Sequence, residues 1–383
     1  MRPLASLIAL LLVVSGCAGD LPPLPPETRP EIAAEEAGSW LAADRLEQEM
    51  AAAPHALTNP ALTRYVQGVA CRVAGRYCGD IRVHLLRQPG FNAAMAPNGA
   101  LLIQSGLLLR LADEAQLAAV IGHELGHYVQ RHSFAQAEHA RRQGDIGAWI
   151  GLFGAALGAP GVSDFLRGET VLDTLAYGRD QERAADSFGL ERLAAAGYDP
   201  SAAAEVWDLV QAEAEAGGKG LADRLLATHP APAERRQRLR QAAASIGRDD
   251  TPRERGLAAY RAVLAPHRAA FLTDEVRLRQ PTSTLALFRH LAERDGLDAV
   301  LAFHWGEVYR LRGWQDDRRK ALATYAKALG FADVPAETHR SIGLVRRALG
   351  QRRGARFAFD RYLEHAPAAT DRVVVEAYID GRL

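Results

Sequence analysis

Apolar positions in the first part of the chain follow a helical spacing, with a short strand-like interval between helices. They recur every three or four residues, as in amphipathic helices, over Trp40–Met50, Pro60–Ala74 and Asp113–Arg131. Three strand candidates precede the last of these helices, at Ile81–Leu86, Phe91–Ala96 and Ala100–Gln104. The turn sequence Pro97-Asn98-Gly99 separates the second candidate from the third. We therefore predict a mainly helical domain that contains a small β-sheet.

The last third of the chain carries an internal repeat. Its spaced positions Gly306, Tyr309, Gly313, Ala321, Tyr325, Ala328 and Pro335 align with Gly343, Arg346, Gly350, Ala355, Phe359, Tyr362 and Pro367. This pattern resembles tetratricopeptide repeats, with about three extra residues in the first turn. We expect helices within Leu257–His290 to complete the stack, whose concave face would bind protein. The alternative is a helical bundle that only supports the preceding domain.

Length and charge agree with an organisation in more than one domain. The 383 residues are 48% hydrophobic, which is enough for two or three folded units with their own cores. Lys plus Arg and Asp plus Glu number 46 each, so the formal net charge is zero. Nucleic-acid binding is therefore not expected, because it needs clustered, uncompensated positive charge. The polar stretch Gly247–Pro252 marks a boundary between predicted domains at 39–246 and 253–383.

The N-terminus resembles the signal of a bacterial lipoprotein. Arg2 precedes the apolar run Leu4–Val14, and Val14-Ser15-Gly16-Cys17 resembles a lipobox. We expect a signal peptide at 1–16, a lipidated Cys17, and a lipid anchor with a Pro-rich tether at 17–38. The alternative is an ordinary secretory signal cut near Ala18. Inner-membrane lipoproteins often carry Asp at that position, so we expect the periplasmic face of the outer membrane of a Gram-negative bacterium.

Two cysteines, Cys71 and Cys78, remain once Cys17 is set aside. They could pair in an oxidising compartment, but a continuous helix would place them about 10 Å apart, too far for a disulfide. Gly75 and Gly79 could break the helix and turn the chain back. A disulfide and two free buried thiols both stay open.

The predicted helix Asp113–Arg131 contains the sequence His123-Glu124-Leu125-Gly126-His127. Its two histidines are four residues apart, so they lie on one helix face and can bind the same metal ion. Zinc accepts imidazole nitrogen, and Glu124 beside the pair could act as a general base toward water. The surrounding helix is strongly apolar, where unpaired polar groups are costly, so a purely structural role is the weaker hypothesis.

A third ligand must come from outside this helix. His132 is a poor candidate, because its spacing and Gln130 do not fit the glycine-containing pattern of metzincins. Glu182 and Asp186 are again four residues apart on a predicted helix and share a face. One of them could bind zinc while the other accepts the free N–H of a ligating histidine. The alternative is a solvated acidic face.

Together these motifs resemble the HtpX/BepA-type zinc metallopeptidases over roughly Trp40–Ala243. The resemblance also includes Phe91-Asn92-Ala93, Pro97-Asn98-Gly99, and Thr228-His229-Pro230 followed by Arg235. It implies an α+β fold, namely a mainly helical zincin-type metallopeptidase domain with a small β-sheet. An all-α, tetratricopeptide-like helical repeat domain would follow it.

The resemblance further implies roles for individual residues. One Zn²⁺ per chain would be bound by His123, His127 and Glu182. Glu124 would be the general base, and Asp186 would support a ligating histidine. His229 matches a loop histidine that can occupy the fourth position on zinc, as a ligand or a switch.

The function predicted from the sequence is a periplasmic zinc endopeptidase that degrades misfolded or misassembled envelope proteins. It would dock on outer-membrane assembly machinery through its repeat domain and bind extended substrates along the strand edge near Phe91–Ala96. The alternative is a chaperone or scaffold for outer-membrane assembly whose protease site is mostly closed. Ile146–Gly158 is apolar but too short to span a membrane. We expect it to form a Gly-rich core helix, or alternatively to contact lipid or unfolded substrate.

Overall fold

The computed structural model describes residues 22–29, 36–136, 178–217, 229, 233–246 and 252–382. None of the helices in these ranges has the length and apolar character needed to cross a bilayer. The predicted signal peptide, the lipidation site Cys17 and the helix expected within Ile146–Gly158 lie outside the described residues. They therefore stay predictions.

The described part of the chain is mainly helical, with three strands. Its first helices are α1 (Ala37–Ala51), α2 (Pro60–Ala74), α3 (Ser105–Arg110), α4 (Glu114–Val129), α5 (Arg179–Ala195), α6 (Ala202–Gly217) and α7 (Ala233–Ile246). Its later helices are α8 (Leu257–Arg277), α9 (Pro281–Asp295), α10 (Ala299–Arg312), α11 (Asp317–Ala328), α12 (Glu337–Ala348), α13 (Arg352–His365) and α14 (Arg372–Ile379). Its strands are β1 (Arg82–Leu86), β2 (Ala93–Met95) and β3 (Ala100–Gln104).

The three strands form one sheet in the order β1-β3-β2. β1 runs parallel to β3 and pairs Val83 with Leu101, whereas β2 runs antiparallel to β3 and pairs Ala94 with Leu102. Every residue of β3 is buried, as its central position requires. β2 lies at an edge of this sheet. The predicted α+β class with a small sheet is confirmed.

Helix α4 crosses α5 at small residues. Its N-terminus is capped by Asp113, whose side chain accepts a backbone N–H hydrogen bond of 2.9 Å. A Cβ added to Gly126 would lie 2.7 Å from the Cα of Ala185, and one added to Gly122 would lie 3.0 Å from the carbonyl oxygen of Gly189. Because larger side chains do not fit there, the two helices predicted to carry metal ligands can approach closely.

Cys71 and Cys78 are joined by a disulfide. Helix α2 ends at Gly75, whose φ of +58° is favourable only for glycine. A 3₁₀ turn over Gly75–Asp80 then returns the chain, so the two cysteine Cα atoms lie 4.5 Å apart. The helix break that the sequence allowed is therefore present, and the two cysteines form a disulfide and are not free thiols.

Two similar helical hairpins, α10–α11 and α12–α13, form most of the C-terminal region. In each hairpin a glycine of the first helix lies against an aromatic ring of the second. A Cβ on Gly306 would lie 2.3 Å from the ring of Tyr325, and one on Gly343 would lie 2.4 Å from the ring of Phe359. The aligned positions thus make the same contact, and the C-terminal region is helical as predicted.

The helices after residue 252 pack directly against the preceding domain. Tyr260 of α8 donates a hydrogen bond of 2.7 Å to the carbonyl oxygen of Leu108. Arg110, with a side chain only 1% exposed, binds Glu213 of α6 at 2.7 Å and Glu275 of α8 at 2.5 Å. One hydrophobic core extends from α2 and α4 into α8 and α9. The domain boundary predicted between 246 and 253 stays a prediction, and packing is continuous across it.

Candidate metal centre

His123 and His127 lie on the buried face of α4, one helical turn apart. Their Nε2 atoms are separated by 3.1 Å, and both side chains are buried. The four-residue spacing brings the two rings together without help from the rest of the fold, because residues i and i+4 share a helix face.

Glu182 reaches this pair from α5. Its Oε1 atom lies 3.4 Å from Nε2 of His127, and its Oε2 atom lies 3.6 Å from Nε2 of His123. The side chain is buried. The close crossing of α4 and α5 is what makes this approach geometrically feasible.

His229 completes the group from a segment that precedes α7. It is 106 residues from His123 in the chain, yet its Nδ1 atom lies 3.2 Å from Nε2 of His123. The same Nδ1 atom lies 3.0 Å from Oε1 of Glu182. The structure therefore places His229 with the three other predicted ligands.

The four donor atoms have the spacing of a metal site. Ligands of a tetrahedral ion with bonds of about 2.0–2.1 Å lie about 3.3 Å from one another. The closest separations within this group are 3.0 to 3.4 Å. Lone pairs that converge in this way repel one another unless a metal cation or shared protons lie between them. His123, His127, Glu182 and His229 could therefore hold one metal ion, and three imidazoles with one carboxylate suit zinc.

Asp186 and Arg235 support this group on the side opposite the converging donors. Oδ1 of Asp186 lies 3.1 Å from Nδ1 of His123. Arg235 donates two hydrogen bonds of 2.7 Å to Asp186 and also contacts Glu182. Burial opposes the charge of Asp186, but the hydrogen bonds from Arg235 and His123 outweigh it and lower its pKa. The charged carboxylate favours a proton on Nδ1 of His123, which leaves Nε2 free for a metal.

Two further side chains, whose roles the sequence analysis missed, pack against the group. Nδ1 of His132 lies 3.0 Å from Nδ1 of His127, so His132 orients a neighbouring imidazole and is not among the converging donors. The ring centroids of Trp207, in α6, and His123 are 5.7 Å apart. The guanidinium carbon of Arg235 lies 4.1 Å from the centroid of the Trp207 ring. The closeness of His132 to the HExxH helix was the available signal for its role. No pattern in the sequence points to Trp207.

Glu124 lies beside the donor group and is only 3% exposed. Its Oε1 atom is 3.8 Å from Nε2 of His229. Burial raises the pKa of Glu124, although the neighbouring His229 and His123 partly oppose the shift. A raised pKa makes the carboxylate of Glu124 a stronger base, which is better able to accept and return a proton near neutral pH.

The structure thus brings together all six residues that the sequence analysis assigned to the metal centre. They are His123, Glu124, His127, Glu182, Asp186 and His229. The Cys71–Cys78 disulfide takes no part in the donor group. The individual catalytic roles of the six site residues remain proposals.

This region also matches a known peptidase family. Residues 56–243 match peptidase family M48, a range that includes the four donors, Glu124, Asp186 and Arg235. This part of the chain is an M48 peptidase domain. M48 metallopeptidases are zinc-dependent, which agrees with the donor set of the site.

Several M48 relatives are similar to this chain over the same share of its length. The chain is 32% identical over 183 residues to mitochondrial metalloendopeptidase OMA1 of Schizosaccharomyces pombe. It is 26% identical over 190 residues to the beta-barrel assembly-enhancing protease of Escherichia coli (strain K12), and 26% identical over 201 residues to that of Yersinia pestis. These alignments cover 47, 47 and 49% of this chain, and 52, 38 and 40% of the respective relatives. The chain therefore spans about half the length of these relatives, or less.

Proposed function

We propose that this chain is a zinc-dependent endopeptidase of the bacterial envelope. The observation that carries the proposal is the convergence of four donors at 3.0 to 3.4 Å beside the buried carboxylate of Glu124. When bound, zinc supplies Lewis-acid polarisation of a peptide carbonyl and of water. The zinc ligands would be His123, His127 and Glu182, with His229 at the fourth position.

Residues of this chain would perform the remaining steps. Glu124 would accept a proton from the attacking water and pass it to the leaving amine. Asp186 and Arg235 would keep the ring of His123 in its ligating orientation. The edge strand β2 would bind the substrate backbone by strand addition. Support for this comes from the contact between the backbone of Met95, in β2, and the Glu124 carboxylate.

An apolar pocket beside His123 and Glu124 supports cleavage within unfolded chains. Its walls include Phe91, Leu107, Val120, Leu190 and Trp207. Unfolded or misassembled proteins leave apolar side chains accessible in flexible chain segments, whereas correct folding removes most of them from contact with water. A pocket of this kind would therefore favour misassembled substrates.

The proposed substrates are misfolded or misassembled envelope proteins, at the periplasmic face of the outer membrane. The names of the beta-barrel assembly-enhancing proteases support this assignment. The helical hairpins after residue 252 would bind the outer-membrane assembly machinery, as stacked helical repeats commonly bind protein.

Metal removal tests the proposed activity. The purified chain should contain about one zinc per chain and should cleave an unfolded outer-membrane β-barrel protein. A chelator should remove both the zinc and the cleavage, and added Zn²⁺ should restore both. The same barrel protein folded in detergent is the control and should resist cleavage. Cleavage that continues after complete zinc removal would contradict the proposal.

The lipid anchor proposed at Cys17 has its own test. Cys17→Ser should abolish lipid attachment, because only the thiol can receive the lipid, and should leave the precursor unprocessed. The measurement is mass spectrometry of the mature N-terminus together with membrane fractionation. Cys71→Ser with Cys78→Ser is the control and should keep both lipid and processing. Normal processing and membrane association of the Cys17 variant would rule out the anchor.

A chaperone or scaffold with a closed protease site is the second candidate function. The position of His229 among the donors favours it, because a fourth protein ligand resembles the closed arrangement of a structural zinc site. The two functions differ in their need for Glu124. A scaffold should support outer-membrane assembly equally well with Glu124→Gln, whereas a protease should not.

A further inference from the structure

The two C-terminal hairpins expose arginines that have no acidic partner among the described residues. These arginines stand in pairs at the beginnings of α11 and α13, namely Arg318 with Arg319 and Arg352 with Arg353. Arginines a few residues away are paired instead. Arg312 donates 2.7 Å and 2.8 Å hydrogen bonds to Asp317, and Arg310 does the same to Glu307 at 2.6 Å and 2.9 Å. The unpaired charge is thus concentrated in the turns.

The internal repeat places the two pairs on the same side of the molecule. Ala321 and Ala355 are equivalent positions, so each arginine before Ala321 has a counterpart before Ala355. The hairpins are in contact at this end, because Tyr309, Leu322 and Val345 belong to one hydrophobic cluster. Equivalent turns of hairpins that pack side by side project from one face.

The same two turns also expose apolar side chains. Trp314 is 62% exposed and Leu349 is 38% exposed. The guanidinium of Arg312 lies 4.0 Å from the ring of Trp314, which holds the indole in the turn. Asp316 adds one exposed carboxylate. We call the surface formed by Trp314, Arg318, Arg319, Leu349, Arg352 and Arg353 the basic turn face.

Charge is distributed unequally between the two ends of these helices. The turns at the opposite end contain the acidic residues Asp298, Asp333 and Asp371, of which Asp298 is paired with Arg268 and Asp371 with Arg340. The net charge of the whole chain is zero, so this separation does not follow from an overall basic composition. An anionic surface would attract the end that carries the unpaired arginines more strongly than the end whose charges are mostly paired, and would thereby orient the helical region.

We propose that the basic turn face docks on the anionic phospholipid headgroups of a membrane surface. Arginine can place its charge among phosphates while its methylene groups remain in the interfacial layer. Tryptophan is enriched at that same layer in membrane proteins. A headgroup layer can surround side chains that project from separate turns, whereas an acidic protein segment would need a complementary shape. The proposal does not depend on the peptidase activity.

Vesicle flotation tests this proposal with the chain expressed from Ala18 onward, so that neither an acyl chain nor the apolar run Leu4–Val14 contributes. The vesicles contain phosphatidylcholine alone, or phosphatidylcholine and phosphatidylglycerol at about 2:1, which supplies an anionic surface. The chain should float with the anionic vesicles and much less with the neutral ones. High salt should release it, since salt screens exposed charge.

Charge reversal at equivalent positions identifies the surface. Arg318→Glu combined with Arg352→Glu should lower partitioning at least about 25-fold, from about fivefold for each basic residue near an anionic surface. Trp314→Ala should cause a smaller loss. The matched control is Arg64→Glu with Arg289→Glu, which makes the same net charge change at exposed arginines of α2 and α9. It should keep nearly full binding.

Circular dichroism and zinc content verify that both double variants fold. Equal losses in the two double variants would mean that net charge alone controls binding, which overturns the assignment to this face. Failure of the unreversed chain to float with anionic vesicles would overturn the membrane proposal. Loss of peptidase activity in any variant bears on the metal centre and leaves this outcome unaffected.

Discussion

Replacing Glu124 with Gln should abolish peptide cleavage while the chain keeps its zinc. The amide cannot accept a proton from water, and general-base catalysis contributes about 10²–10⁴-fold to such reactions. None of the four converging donors is changed, so the zinc content should stay at about one per chain. The measurements are the rate of cleavage of an unfolded barrel protein and zinc analysis of the same sample.

Glu114→Gln is the matched control, because Glu114 lies on the same helix and contacts Tyr65 and Tyr198, away from the donor group. It should retain activity and zinc. His127→Ala should instead lose both, since it removes one of the three ligands, His123, His127 and Glu182, that are proposed to hold zinc when the fourth position is open. Normal cleavage by Glu124→Gln would show that another group acts as the base, and the proposed mechanism would be wrong.

Replacing His229 with Ala should raise basal proteolysis and should leave zinc bound. Nδ1 of His229 lies 3.0 Å from Oε1 of Glu182, and in the proposed mechanism it would take the fourth ligand position that the attacking water needs. Removing the imidazole would open that position permanently. If the open state is populated to about 10% or less in the unmodified chain, activity should rise about tenfold or more.

The control for this variant is His304→Ala, a buried histidine of α10 that hydrogen-bonds Thr273 and takes no part in the donor group. Its basal activity should not rise. The opposite result for His229→Ala is equally informative. A large fall in kcat with unchanged KM would show that His229 assists the chemistry, and the switch would be abandoned.

Residue spacing along the sequence determined those parts of the metal centre that lie within a single helix. Four-residue spacing within a helix puts His123 and His127 on one face, whatever the helix packs against. The same rule puts Glu182 and Asp186 on one face of α5. Alternating and apolar runs likewise predicted the three strands, because side-chain direction alternates along a strand regardless of the remaining fold.

Sequence spacing left the two carboxylates of α5 interchangeable, and only the tertiary structure distinguishes them. The crossing of α4 and α5 directs Glu182 to the converging donors and Asp186 to the opposite nitrogen of His123. How closely the two helices approach depends on the contact of Gly126 with Ala185. Spacing along one helix contains no information about how deeply another helix can approach it.

Hydrophobic periodicity, turn residues and motif spacing were sufficient for the helical class, the small sheet and the two pairs of site residues, because each depends on neighbours within a few positions. The disulfide closes a loop of only seven residues, but the sequence left it open, because Gly75 permits the returning turn without requiring it. The support of Asp186 by Arg235 and the core shared between α2, α4 and α8 were decided only by the fold. These last two features join segments far apart in the chain. Their geometry is set by close packing of side chains, which no local pattern encodes.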